Sequence, residues 1–163
     1  MRRKKLWIGA GVVVVVLGVA VAGASAYLNR QRPTFNLTEG DLALAGYDPV
    51  GYFPEGGGTP QPGDPKWTAM QNGRRYQFVS VANRDRFTAA PGHYEPQFGG
   101  WCAYAVAHGY KFEVDPHQYL VEDDRLLLFY GGILGDARSE FIKEGAADGV
   151  SAADRNWESL KAE

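Results

Sequence analysis

The 163-residue chain has one cysteine, Cys102, so no internal disulfide can staple it and packing alone must hold the fold. The usual marks of catalysis are also missing. There is no serine nucleophile elbow, no phosphate-binding glycine loop and no His-Glu-x-x-His pair. A Cys/His dyad is conceivable, but no residue pattern around Cys102 would orient one. The sequence therefore reads as non-enzymatic. Positive charge is scarce outside the N-terminus. Four of the 17 Lys and Arg lie in residues 1–26, which hold no acid; the remaining 13 face 19 Asp and Glu, a net charge of −6. An acidic domain without a basic stripe excludes nucleic acid as a partner. No internal repeat is visible.

The N-terminus is the chain's one long apolar run. Arg2, Arg3, Lys4 and Lys5 precede the uncharged stretch Leu6–Leu28, LWIGAGVVVVVLGVAVAGASAYL. A helix of that length measures about 35 Å, enough to cross a hydrocarbon core of about 30 Å. A domain this small could not surround so long an apolar rod, so the membrane is the expected partner of residues 6–28. With the cations on the cytoplasmic side, residues 1–28 form an anchor. Read instead as a signal peptide, the segment would be cleaved after Ala26, at Ala24-Ser25-Ala26. Both readings place the rest of the chain outside the cytoplasm, as a periplasmic domain.

Residues 29–40 (NRQRPTFNLTEG) are polar, contain Pro33 and lack a period, as in a linker, and residues 41–163 have a globular composition. In KWTAMQNGRRYQFVS (66–80) two alternating runs flank Asn72-Gly73, the pair favoured in two-residue hairpin turns. Ser80 is placed to cap a helix over 81–90 that stops at Pro91. A short helix is expected from Trp101 to His108, with Gly109 just beyond it. HQYLVEDDRLLLFY (117–130) reads as a second hairpin turning at Glu122–Arg125. The tail from Asp136 reads as two helical pieces divided near Gly145–Gly149, the second capped by Ser151. These pieces predict a small single α+β domain, with β-hairpins packed against short helices, behind an N-terminal transmembrane helix.

A series of ordered landmarks runs through this domain. It starts with Gly46-Tyr47-Asp48-Pro49-Val50 and Tyr52-Phe53, then Asn72-Gly73, Tyr76-Gln77-Phe78 and Ser80. Asn83-Arg84-Asp85, Phe87, Pro91 and Tyr94 follow, and then Pro96-Gln97-Phe98-Gly99-Gly100 running into Cys102-Ala103-Tyr104-Ala105-Val106 and Gly109-Tyr110. Val114-Asp115-Pro116 and Asn156-Trp157 close the series. In this order they resemble the YHS domain family, in its small exported single-domain branch, over residues 43 to 160. The resemblance implies a metal-associated protein, since relatives bind heavy metals through cysteines. Those relatives carry thiols at three places that here hold Gly51, Val79 and Asn83, none of which can supply a thiolate. The family's usual ligand set is therefore missing.

Three expectations for the site remain. In the first, Cys102, helped by His93 or His108, holds a copper or zinc ion, a ligand set that suits either metal although its spacing is that of no closed zinc site. In a helix, residues 102 and 108 lie about 120° apart, so that site would need the helix to end early. In the second, Cys102 is a packed thiol and the domain recruits a protein partner at the membrane surface. In the third, Cys102 is redox-active, which requires a depressed pKa. Asp48 is expected to start a turn, or to contact a ligand in a cleft bordered by Tyr47 and Tyr52. Arg84 is placed to pair with Asp48.

Overall fold

The computed structural model describes residues 32–162. The apolar run 6–28, the motif at 24–26 and residues 29–31 lie outside the described residues. Among the described residues no helix is long and apolar enough to cross a membrane. The described part is a mixed α+β domain.

Strand β1 (Leu37–Thr38) pairs antiparallel with β2 (Leu42–Ala43). The first long hairpin follows, β3 (Asp64–Gln71) and β4 (Arg74–Phe78), giving one sheet of order β1-β2-β4-β3 with β2 parallel to β4. Asn72 and Gly73 make the turn at φ 49° and 76°, both left-handed, as a tight hairpin turn of the primed type demands. Helix α1 (Val81–Ala89) is capped by Ser80, whose Oγ accepts the Asn83 N–H at 3.1 Å. A single turn, α2 (Pro91–Tyr94), comes next, and then α3 (Ala103–Ala107), followed by His108 as C-cap and Gly109 in a left-handed conformation at φ 85°. The second hairpin, β5 (Asp115–Glu122) and β6 (Arg125–Phe129), turns at Asp123 and Asp124, again both left-handed, at φ 48° and 58°. Aspartate tolerates that region better than most residues with a Cβ. A glycine-rich turn, β7 (Gly131–Gly132) and β8 (Gly135–Asp136), leads into the long α4 (Ala137–Leu160).

Helix α4 breaks at Gly145 (φ 104°), within the expected interval. Ser151, expected to cap the second piece, instead lies inside the helix and bonds back to the Ala147 carbonyl at 3.0 Å. The break at Gly145 starts the second piece too early for Ser151 to cap it.

Strand β6 explains the apolar run LLLF. Successive side chains on a strand point to opposite faces. Leu126 and Leu128 join Val50, Phe53, Phe78 and Phe87 in one core. Leu127 and Phe129 join Cys102, Val106, Phe141 and Ala153 in a second core, under α3 and α4. The strand is thus the shared wall of two cores, and Cys102 lies in the second, bridged to Leu128.

The polar stretch expected to be a linker is part of the fold from Arg32 onward. The Asn36 N–H donates to the Gly99 carbonyl at 2.8 Å, and Trp101 Nε1 donates to the carbonyls of Pro33 and Thr34 at 3.2 Å each. Side chains add to these backbone anchors, with Arg32 pairing Glu113 and the Asn36 amide donating to the Gly100 carbonyl, but they follow no period that could be read. Gly99 (φ 61°) is required here, because a Cβ would collide with the Thr34 carbonyl. Gly99→Ala should cost about 3 kcal/mol, combining left-handed strain and overpacking. Denaturant unfolding measures this directly, and an unchanged midpoint would contradict the docking of residues 33–36.

Candidate functional site

Asp48 starts the 3-10 turn Val50–Tyr52 and is fully buried. Its Oδ1 accepts the N–H groups of Val50 (2.8 Å) and Gly51 (3.4 Å). Its Oδ2 accepts the Val79 N–H (2.9 Å) and the Asn83 side-chain amide (2.7 Å), whose own oxygen is held by Arg86. A buried carboxylate is tolerated only when it is hydrogen-bonded in this way. Gly51, Val79 and Asn83 therefore all converge on this one carboxylate. The turn-forming expectation for Asp48 is met, and the ligand-contact expectation is corrected because no part of the carboxylate reaches solvent. Arg84 does not pair with it; Arg84 bonds Asp85 and lies over Trp67.

The cleft expected between Tyr47 and Tyr52 is closed by their own partners. Tyr52 is buried, its hydroxyl donates to the Pro116 carbonyl at 3.0 Å, and burial pushes its phenol well above the usual tyrosine value. The Tyr47 hydroxyl lies 3.4 Å from His117 Nε2, with the two rings edge to face.

The histidines are dispersed too. His93 packs on Phe53 and Tyr94, with Nε2 at 3.5 Å from Glu55. His108 Nδ1 lies 2.8 Å from the Tyr104 carbonyl, and its ring stacks on Tyr104. Cys102, His93 and His108 therefore do not assemble, and among the described residues no three His, Cys, Asp or Glu side chains are grouped to hold a metal ion. Helix α3 ends at Ala107, as a joint site needed, but His108 is drawn back onto its own helix rather than toward the thiol.

Cys102 stands immediately before α3 and is 1% exposed. Its Sγ accepts the Tyr130 N–H at 3.3 Å, and its own N–H donates to the Phe112 carbonyl at 3.0 Å. Burial raises the thiol pKa above its usual value despite amide hydrogen bonds that oppose the shift, so the thiolate is disfavoured. The residue forms the floor of an open cleft of about 320 Å³. Tyr104, Tyr110, Phe112 and Tyr130 form its walls, and Leu134, Asp136 and Glu140 line its rim. The rings hold one another: Phe112 meets Tyr110 at 86° and Tyr130 at 78°. The Tyr104 hydroxyl is tied to Glu144 at 3.1 Å, and the Tyr130 hydroxyl accepts the Leu134 N–H at 3.4 Å. A concave aromatic surface of this volume with a few polar groups suits a small ligand. A second, smaller cavity of about 100 Å³ lies beside the largely buried Arg74–Glu95 pair.

Sequence reasoning passed over Tyr110, Phe112, Tyr130, Asp136 and Glu140. The three aromatics share only their places just after Gly109 and at the end of the β6 run, and the two carboxylates share no signal with them. No family model matches the chain, and no curated protein or solved structure matches it either.

Proposed function

We propose that this is a YHS-like domain held at the outer face of a membrane, a non-enzymatic binding module whose binding surface is the aromatic cleft and whose Cys102 belongs to the fold. One observation carries the reading: the sulfur is sealed into the floor of a cleft that is itself open. The convergence of Gly51, Val79 and Asn83 on Asp48 supports the family resemblance, since residues distant in the chain meet where relatives place one site. It also gives that place a structural carboxylate in this chain.

If residues 6–28 are the anchor, only residues 29–31 separate it from the docked segment. Three residues can reach at most about 10 Å, which would keep the domain near the membrane surface. Thiol reactivity in the native protein tests the role of Cys102. We expect a water-soluble thiol reagent to modify Cys102 only as fast as the domain unfolds, with the rate rising on addition of denaturant. Rapid stoichiometric modification of the folded protein would return the site to metal or redox chemistry.

A further inference from the structure

The cleft carries information about the chemistry of its ligand. Phe112 meets Tyr110 and Tyr130 nearly at right angles, so these three rings do not cover one another's faces by parallel stacking. Such faces are electron-rich and attract cations. The lining includes two carboxylates, Asp136 and Glu140, and no lysine or arginine. Asp136 also caps α4 through Ser139, and Glu140 pairs with Lys143 at 3.1 Å; the other nearby basic groups are engaged away from the cleft. Arg32 pairs with Glu113 and lies over Trp101 and Phe112, and the Lys111 ammonium donates to the Arg32 carbonyl.

We infer that the cleft binds the head of an alkylated ammonium ion, a tertiary or quaternary amine, with Tyr104, Tyr110 and Tyr130 facing the cation and Asp136 and Glu140 supplying charge at the rim. The inference rests on the proposed role of the cleft as the binding surface. An alkylated ammonium fits better than a primary one. Its methyl groups present a poorly hydrated cation to apolar walls, whereas a primary ammonium would give up strong hydration for few acceptors. The ion has two possible sources, a free small amine or the headgroup of a choline lipid. The second is suggested by the sequence, because Arg32, which lies over Phe112, follows the apolar segment Leu6–Leu28 by only four residues. Exposed Ile133 and Leu134 at the tip of the β7–β8 turn would then face the same surface.

The test is calorimetric titration of the full chain, in a maltoside detergent, with choline and with dimethylbutanol, its neutral carbon isostere. Choline should bind about tenfold tighter than the isostere, equivalent to about 1.4 kcal/mol. Tyr110 is 41% exposed, so Tyr110→Leu should fold normally, and it should weaken choline several-fold. Glu140→Gln should weaken choline while leaving the isostere unchanged. Equal affinity for the two probes would overturn the inference yet leave the cleft a binding site. Saturable binding of neither would overturn both. The source is separated by repeating the choline titration in phosphatidylcholine and phosphatidylglycerol bilayer discs. A lipid ligand fills the cleft and abolishes binding only in the former; a free amine binds equally in both.

Discussion

Asp48→Ala should be the most damaging single substitution in the domain, lowering its unfolding free energy by about 3–5 kcal/mol. The substitution leaves the N–H groups of Val50, Gly51 and Val79 and the Asn83 amide without their acceptor in a site closed to water. Each buried donor left unpaired costs about 1–3 kcal/mol, less whatever relaxation recovers. Asp48→Asn keeps the shape and tests the chemistry. Whichever way the new amide is turned, its NH2 points at donors, so the loss should still reach about 2–4 kcal/mol. Guanidinium unfolding monitored by tryptophan fluorescence gives both values. A loss below about 1 kcal/mol for the asparagine variant would mean that the carboxylate is not the hub of these segments.

The second large effect is alkaline. Burial raises the phenol pKa of Tyr52, and Tyr76 is raised by burial with Glu95 beside it; the usual value for both is 10.0. In the unfolded chain these phenols release their protons near the usual value, whereas in the folded domain they keep them. The unfolded state therefore binds fewer protons above pH 10.0, and stability falls as pH rises from that point. Each ring contributes a slope of about 1.4 kcal/mol per pH unit until its folded pKa is reached. The Cys102 thiol adds the same sign of slope from its usual 9.0 upward. The contribution of all three groups is fully present at neutral pH. Tyr52→Phe should therefore flatten the alkaline limb of a stability curve while costing only the hydrogen bond to Pro116, about 1 kcal/mol, at neutral pH. If the phenolate absorbance of folded protein titrates completely at the ordinary value, the two rings are not buried as described.

Much of the domain is legible in the sequence where one short stretch determines the local geometry. Asn72-Gly73 sets a turn because both residues accept left-handed backbone, and Ser80 caps α1 through a hydroxyl three residues from its partner. Gly109 ends α3 for the same backbone reason. The Asp123-Asp124 turn is also legible, from the polar break between two apolar runs. What escapes is assembled at a distance. Asp48 before Pro49 announces a turn, but nothing local says that Val79 and Asn83 will complete its coordination. Residues 32–36 look like linker because their backbone and side-chain anchors, at Gly99, Gly100, Trp101 and Glu113, are far away in the chain. Ser151 carries a capping side chain with no helix start beside it, because Gly145 breaks the helix first.

The site shows the same division. Cys102 stands out as the lone thiol, and its packed role is one of the readings open to the sequence. His93 and His108 are plausible ligands by type, yet aromatic neighbours and carboxylates hold each of them elsewhere. The cleft is harder to foresee. Its rings come from α3, from the segment after Gly109 and from the end of β6, and its carboxylates from β8 and α4. The landmarks around Tyr104 and Tyr110 mark the resemblance, not a cleft; the cleft appears only when β6 separates the two cores and α4 closes over the second.

The central claim is that this domain binds through its aromatic cleft, with the Cys102 thiol committed to the fold. A copper(I) competition titration on the full chain, run beside Cys102→Ala, tests it most directly. The account predicts that wild type and variant compete equally weakly, while the variant loses about 1 kcal/mol of stability from its truncated core. Tight one-to-one copper binding that disappears with the thiol would contradict it.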